Sequence, residues 1–357
     1  MLSSLELHGF KRFSHLELAL SPLSVLSGLN GSGKSTVLQS LVLAHQASLS
    51  PDSTVSLSSE TGLDLGHAAD LLNHESASGE FSVKITSAVP YEWVFDIGPT
   101  GDVPYLSILN RPQTPPEVFQ GAAFIHLAAE RIGPRTTHPS AYFRPDDAVV
   151  GFDGRYAAHT LAVCGRNEVP ASLRHESETE VWTLRSQVEA WLSDMVGPTQ
   201  VEATLVPKTN LVTLRIRKQN FSSEWLLPTN TGFGVSYCLP IIVAGLTSKP
   251  GGILIVDSPE AHLHPAGQSA IGRFLATVAA SGVQVLIETH SDHVINGIRR
   301  HVASGGETKA NSVLFHFFGE MGVDSITVDE GGRLSRWPEG FFDQMDKDLF
   351  AITTARK

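Results

Sequence analysis

Residues 28–35 read Gly-Leu-Asn-Gly-Ser-Gly-Lys-Ser and match Gly-x-x-x-x-Gly-Lys-Ser/Thr at every fixed position. The chemistry open to such a string is the holding of a polyphosphate. Backbone N–H groups of a glycine-rich turn point at the anion, and a helix opening directly after it presents its positive dipole end. Glycines at 28, 31 and 33 allow the positive φ and close approach the turn needs. Asn30, Ser32, Gly33 and Thr36 complete the cradle. Lys34 is expected to reach the β/γ-phosphates and the Ser35 hydroxyl to sit on Mg²⁺.

A second set of residues lies more than 200 positions on. Asp257 ends the apolar run 253–257, and the carboxyl end of a strand is where ligands bind in open α/β sheets. It would hold Mg²⁺ from the side opposite Ser35, through water. Glu260, three residues later, could polarise an attacking water. His290 follows the next apolar run and would face the γ-phosphate as a sensor or water-orienting group. Lys34, Glu260 and His290 are therefore the candidate catalytic residues. His262 and His264 lack a third ligand at zinc-like spacing and are expected to be buried at a domain or subunit contact. Gly232, Gly234 and Ser236 open an apolar helix, 239–246, making another anion-binding end. One chain has no need of it for its own nucleotide, so its expected ligand is the γ-phosphate held by a second subunit.

The elements that must position these residues can be read from periodicity. Stretches 3–9, 15–20 and 23–27 read as strands, and a helix follows the phosphate loop to about residue 46. Residues 47–80 read as loop with one short helix. Segments 81–86 and 92–97 alternate as antiparallel strands do. A short buried strand is expected at 124–127 and a helix near 155–163. A longer helix is expected over 177–195, with Val181, Leu184, Val188, Trp191 and Leu192 on one face and Glu178 and Glu180 in its first turn. A hairpin covers 201–206 and 211–216. Strand 253–257, helix 268–280, strand 283–288 and helix 292–304 argue parallel βαβ units. Short strands return over 312–330.

Composition limits the function classes. With 41% hydrophobic and 18% charged residues, the 357-residue chain is globular, with one large domain or two ordinary ones. No apolar run is long enough for a membrane span, and no secretory leader is expected. Cys164 and Cys238 are isolated, which suits a reducing cytoplasm. A net charge of −11 argues against a broad nucleic-acid surface. A local basic groove from Arg131, Arg135, Arg299 and Arg300 stays open.

Together these strings resemble the ABC-type ATPase heads of the SMC, RecF and OLD group. The resemblance is carried by Leu7-His8-Gly9-Phe10-Lys11-Arg12-Phe13, the loop 28–36, and segments 257–268 and 288–299. The chain is more closely similar to bacterial stand-alone AAA-family ATPases with a tail like 332–343, Gly-Arg-Leu-Ser-Arg-Trp-Pro-Glu-Gly-Phe-Phe-Asp; segments 129–135 and 232–241 match these too. The resemblance implies a P-loop head of α/β class with a mixed or parallel central sheet, an antiparallel side sheet and a helical insert. It implies a head over 1–320, with the side sheet and insert inside 46–230, and a tail element over 321–357.

It also implies ATP and Mg²⁺ as cofactors and a homodimer sandwiching two nucleotides, in which 232–236 completes the partner's site. Lys11 and Arg12 would contact the nucleotide. A separately encoded effector, in anti-phage defence or DNA repair, would be gated by the head. Nucleic acid would be reached only through a partner or a local groove. Ser258 departs from the pattern, standing where related heads carry a catalytic Glu. Either Glu260 substitutes, or the chain is an ATP-dependent scaffold with negligible hydrolysis. Tyr237 stands where Gln is usual, and Glu130 or Gln39 are the candidates for a Q-loop glutamine role. The absence of a heptad insert, a nuclease module and an Asn-Lys-x-Asp string implies neither an SMC rod nor an OLD nuclease, and ATP rather than GTP. Segment 337–343 is either a strap on the core or a docking element.

Overall fold

A computed structural model of the chain describes residues 1–59, 62–76, 78–141, 148–218, 224–320 and 322–354. It opens with β1 (Ser4–Phe10), β2 (Phe13–Ala19), β3 (Leu23–Gly28) and α1 (Lys34–Leu49). Next come β4 (Thr54–Ser56), β5 (Glu80–Thr86), β6 (Pro90–Asp96), β7 (Tyr105–Asn110), β8 (Phe124–Leu127) and β9 (His138–Pro139). Helices α2 (Ala157–Cys164) and α3 (Leu184–Val196) precede β10 (Thr199–Leu205) and β11 (Leu211–Lys218). The last part runs α4 (Phe233–Thr247), β12 (Ile253–Asp257), α5 (Pro265–Ala280), β13 (Gln284–Glu288), α6 (Asp292–Ala303), β14 (Val313–Gly319), β15 (Gly322–Thr327) and α7 (Gln344–Thr354).

A mixed sheet in the order β15-β14-β3-β13-β12-β8 forms the middle layer. Its inner strands are parallel, and β15 adds an antiparallel edge. Both faces are covered, which is why β12 and β13 read as continuous Val/Ile/Leu runs. Leu254, Val256, Val285 and Ile287 face a core shared with α3, α4, α5 and α6. Ile253, Ile255 and Leu286 face the opposite core, which holds α1 and the antiparallel sheet β2-β1-β5-β6-β7-β4. Helix α1 is wedged between these two sheets and is buried on nearly every side. A third, small sheet, β10-β11-β9, packs beside α2 and α3.

Several boundaries differ from the sequence expectation. The helix expected over 177–195 begins at Leu184. Thr183 caps it by accepting from Ser186 N, and the Glu178 carboxylate closes a preceding turn by accepting from the N–H groups of Glu180 and Val181. Val181 is therefore exposed rather than part of the apolar face. The stretch 47–80 holds strand β4 besides its short helix, and β7 was not expected. Helix α4 starts at Phe233, so its glycine-rich segment is helical from the outset.

Candidate nucleotide site

Two glycines shape the phosphate loop. Gly28 has φ 136°, and a Cβ there would lie 2.3 Å from the Phe318 carbonyl oxygen. Gly33 has φ 98°, and a Cβ would meet the Phe13 ring at 2.4 Å. Any side chain at either position would push the loop off its supports. The cleft above the loop is lined by residues 30–36 together with Lys11, Arg12, Glu288 and His290. Arg12 Nη1 donates to Gly31 O (2.8 Å), and Lys11 Nζ donates to Gln39 Oε1 (2.7 Å). Lys34 is buried, and its ammonium donates to the loop carbonyls of Leu29 (2.7 Å) and Gly28 (3.2 Å). Burial lowers the Lys34 pKa, and the charges of Glu288 and Asp257 oppose that shift.

The strand ends bring carboxylates to the same place. Asp257 and Glu288 are register partners at the ends of the parallel strands β12 and β13. Alternation puts both on the α1 face, in line with Ile253, Ile255 and Leu286. Ser35 Oγ donates to Glu288 Oε1 at 3.0 Å, and Glu288 Oε2 is buried without a partner. Burial, reinforced by Asp257, pushes the Glu288 pKa up to about 7. Burial also raises Asp257. Sequence reasoning missed Glu288 because it precedes the Thr-His-Ser string that drew notice. The signal that could have found it was the period of two running back from the strand end.

Ser258 has φ 47°, and its hydroxyl donates to Asp257 Oδ1 (2.8 Å). Glu260 turns back to the next strand end, accepting from Thr289 Oγ1 and from His290 N, both at 2.8 Å. His290 is solvent-accessible at the cleft; partial burial and then Lys34 lower its pKa, against Glu260 and Asp257. The AERIGPR segment contributes Arg131, which is buried rather than part of a basic groove. Its guanidinium donates to the carbonyls of Ala128, Asp257 and Ser258. Glu130 is exposed, while Gln39 is tied to Lys11.

Gly232, Gly234 and Ser236 do not line this cleft. Gly232 is exposed and caps α4 with no side-chain hydrogen bond to the helix N-terminus. The Ser236 hydroxyl is buried inside the chain without a hydrogen-bond partner. Exposed Phe233 stands beside Gly232 and stacks on His262 (5.1 Å between ring centroids). His262 and His264 are both exposed within the single chain. His262 sits at φ 61° against Phe233 and Tyr237, and His264 caps α5.

The donor set fits a hard divalent cation. It offers one hydroxyl and two carboxylates, one carrying an unpartnered buried oxygen. Among the described residues, no helix is long and apolar enough to cross a membrane.

Comparison with known proteins agrees with this geometry. Residues 1–87 match a family model described as AAA ATPase domain. Residues 177–296 match one described as AAA domain, putative AbiEii toxin, Type IV TA system. Residues 309–352 match one described as a protein of unknown function, DUF3696. None of the curated proteins matches the sequence. Among solved structures, the chain is similar to the SMC head bound to the C-winged helix domain of ScpA. Identity is 12%, coverage 92% of this chain and 97% of that one, and the TM-score 0.57. It is also similar to the Pyrococcus furiosus Smc head domain with an extended coiled coil, bound to the C-terminal domain of ScpA. There identity is 10%, coverage 100% and 99%, and the TM-score 0.55. In fold the chain is similar to SMC head domains, and the two segments that carry its phosphate loop and its strand-end carboxylates each match an AAA domain model.

Proposed function

We propose that the chain binds MgATP, closes with a second copy around two nucleotides, and reopens on hydrolysis, gating a separately encoded protein partner. One observation carries this reading. The uncapped, exposed N-terminus of α4 is built for an anion yet lies outside its own chain's cleft. Residues 28–36 hold the phosphates, with Lys34 on the β/γ groups and Lys11 and Arg12 flanking the loop. Ser35 and Asp257 hold the cation, which when bound offsets phosphate charge and polarises the γ-phosphoryl group. His290 orients the water that attacks the γ-phosphorus, giving ADP and phosphate. The backbone at Gly232 and Gly234 caps the γ-phosphate of the partner's ATP. Closure is favoured because ATP binds better to the closed pair than to the open chain.

Protein partners named for the similar SMC heads support a protein effector here. Anti-phage defence or DNA repair is the setting drawn from family resemblance, and the toxin–antitoxin description of the 177–296 match is compatible with the first. A second reading, an ATP-held scaffold with negligible turnover, is favoured by Ser258, whose hydroxyl is spent on Asp257.

Gly232→Asp tests the sandwich. Gly232 has φ −66°, and a Cβ there meets nothing within 4 Å, so the single chain tolerates the change. The new carboxylate would oppose the partner's γ-phosphate. ATP binding per chain should stay as in wild type, while the ATP-dependent rise in mass by light scattering should vanish. A dimer that forms as in wild type refutes the sandwich. A wild-type dimer that forms with ATP but does not turn it over favours the scaffold.

A further inference from the structure

The cleft contains one acidic group that the phosphate-loop reading does not use, and another that it overuses. Glu288 stands at the end of β13, beside Asp257 and on the α1 face. Its Oε1 accepts the Ser35 hydroxyl hydrogen at 3.0 Å, and its buried Oε2 has no partner. A serine that ligates a cation through an oxygen lone pair must send its hydrogen elsewhere, and Glu288 is where it goes. The free oxygen leaves room for one more donor, and a water in the cation's shell is one of the right chemistry. Glu260 differs. Both of its oxygens are already engaged, by Thr289 Oγ1 and His290 N. Its bonds join the turn after β12 to the turn after β13, and they hold His290 at the cleft.

We infer that Glu288 is a positioning residue for the divalent cation, fixing Ser35 Oγ and receiving a cation-bound water, and that Glu260 is a brace for the Thr289–His290 turn. The inference rests on the reading of the cleft as a MgATP site. It makes the site a set of one hydroxyl and two adjacent carboxylates, Asp257 and Glu288. It leaves the orientation of the attacking water to His290, as in the reading on which it rests.

The test is equilibrium binding of ATP to the full chain, in Mg²⁺ and in EDTA, for wild type, Glu288→Ala, Glu288→Gln and Glu260→Gln. The readout is the ratio of the two affinities, which a general loss of packing would not move. Glu288→Ala should lower the Mg²⁺ enhancement by about 10–100-fold, the usual cost of losing an outer-shell partner. Its affinity in EDTA should hold or tighten, because a like charge near the triphosphate has gone. Glu288→Gln keeps size and an acceptor oxygen and should fall between; it carries the comparison if the alanine variant does not fold. Glu260→Gln should keep the wild-type ratio.

Two results overturn the assignment: an unchanged ratio in both Glu288 variants, whether or not affinity falls equally in both media, or a ratio lost in Glu260→Gln instead. A wild-type chain that binds ATP in neither medium is a different result. It removes the nucleotide reading itself and the inference with it.

Discussion

Arg131 offers the most direct test of how the site is held. Its Nη1 donates to Ala128 O (2.8 Å) and Asp257 O (2.6 Å), and its Nη2 to Ser258 O (2.7 Å). The side chain is 2% exposed, and its guanidinium lies 5.4 Å from the Tyr237 ring centroid. Arg131→Met keeps much of the volume and removes every donor. Each charge-assisted bond is worth about 1.5–3 kcal/mol, but the guanidinium's own burial cost is relieved at the same time. The net loss should be about 3–5 kcal/mol, because three carbonyl acceptors beneath it are left unsatisfied. That corresponds to a fall in melting temperature on the order of 10 °C. Arg131→Lys should recover little of it, since one ammonium cannot span three carbonyls. Ser258 holds its left-handed φ beneath these bonds, so turnover should fall further than ATP binding in chains kept below their melting point. Thermal unfolding followed by circular dichroism, with phosphate release, makes the check. An Arg131→Lys chain that melts within about 2 °C of wild type and turns over normally would refute the clamp.

Other expectations follow from single contacts. Lys34→Ala removes a charge-assisted phosphate contact of about 1.5–3 kcal/mol, so ATP affinity or turnover should drop tenfold or more; unchanged values in both count against the site. His45 is buried beside Phe119 and Phe124, and burial pushes its pKa down from 6.5 to about 4. The unfolded chain then binds the extra proton first. The stability contribution is whole above pH 6.5 and lost as pH falls toward 4, by about 3 kcal/mol in all at about 1.4 kcal/mol per pH unit. Denaturant titrations of wild type and His45→Phe between pH 4 and 7 should diverge over that window, and parallel curves would sink the argument. Removing residues 344–357 should leave the melting temperature unchanged, because Met345 and Phe350 of α7 are 72% and 71% exposed. Phe341→Ala, at a side chain 1% exposed against Phe317, should cost about 3–5 kcal/mol.

The parts legible in the sequence were those where local chemistry and tertiary role agree. The phosphate loop needs its glycines for backbone reasons that hold in isolation, and β12 and β13 are apolar on both faces because both faces are covered. The helix over 177–195 was misplaced at its start because Glu178 suits a first helical turn and a capped loop turn equally well. Only the bonds it accepts from residues 180 and 181 separate the two. Strands β4 and β7 pair with each other at the edge of the side sheet, and their short stretches carry little periodicity of their own. Arg131 read as a surface cation because nothing local shows that the carbonyls of residues 257 and 258 lie above it. Glu288 went unnoticed for the same reason. Spacing from Asp257 favoured Glu260, whereas the sheet register, a non-local fact, sets Glu288 beside Asp257.

The register also bears on the tail. Strand β14 pairs with β3 up to Gly28, so the phosphate loop starts against the backbone of Phe318. Leu29 N donates to Phe318 O (3.2 Å), and that same oxygen forbids a side chain at Gly28. One residue back, Phe317 carries Phe341 edge-on, with ring centroids 5.4 Å apart. Trp337 lies over Arg299 of α6 and beside Phe341. Phe341 thus ties the segment 337–343 to the strand that backs the loop, while the helix beyond it keeps its described apolar residues in solvent. A strap of this kind cannot shift without disturbing Phe317, and Phe317 cannot shift far without moving the strand against which Gly28 is packed. The two readings open at the sequence level, core strap and docking element, therefore fall on different residues. Phe341 belongs to the first, and the exposed Trp337 together with Met345, Leu349, Phe350 and Ile352 of α7 is open to the second.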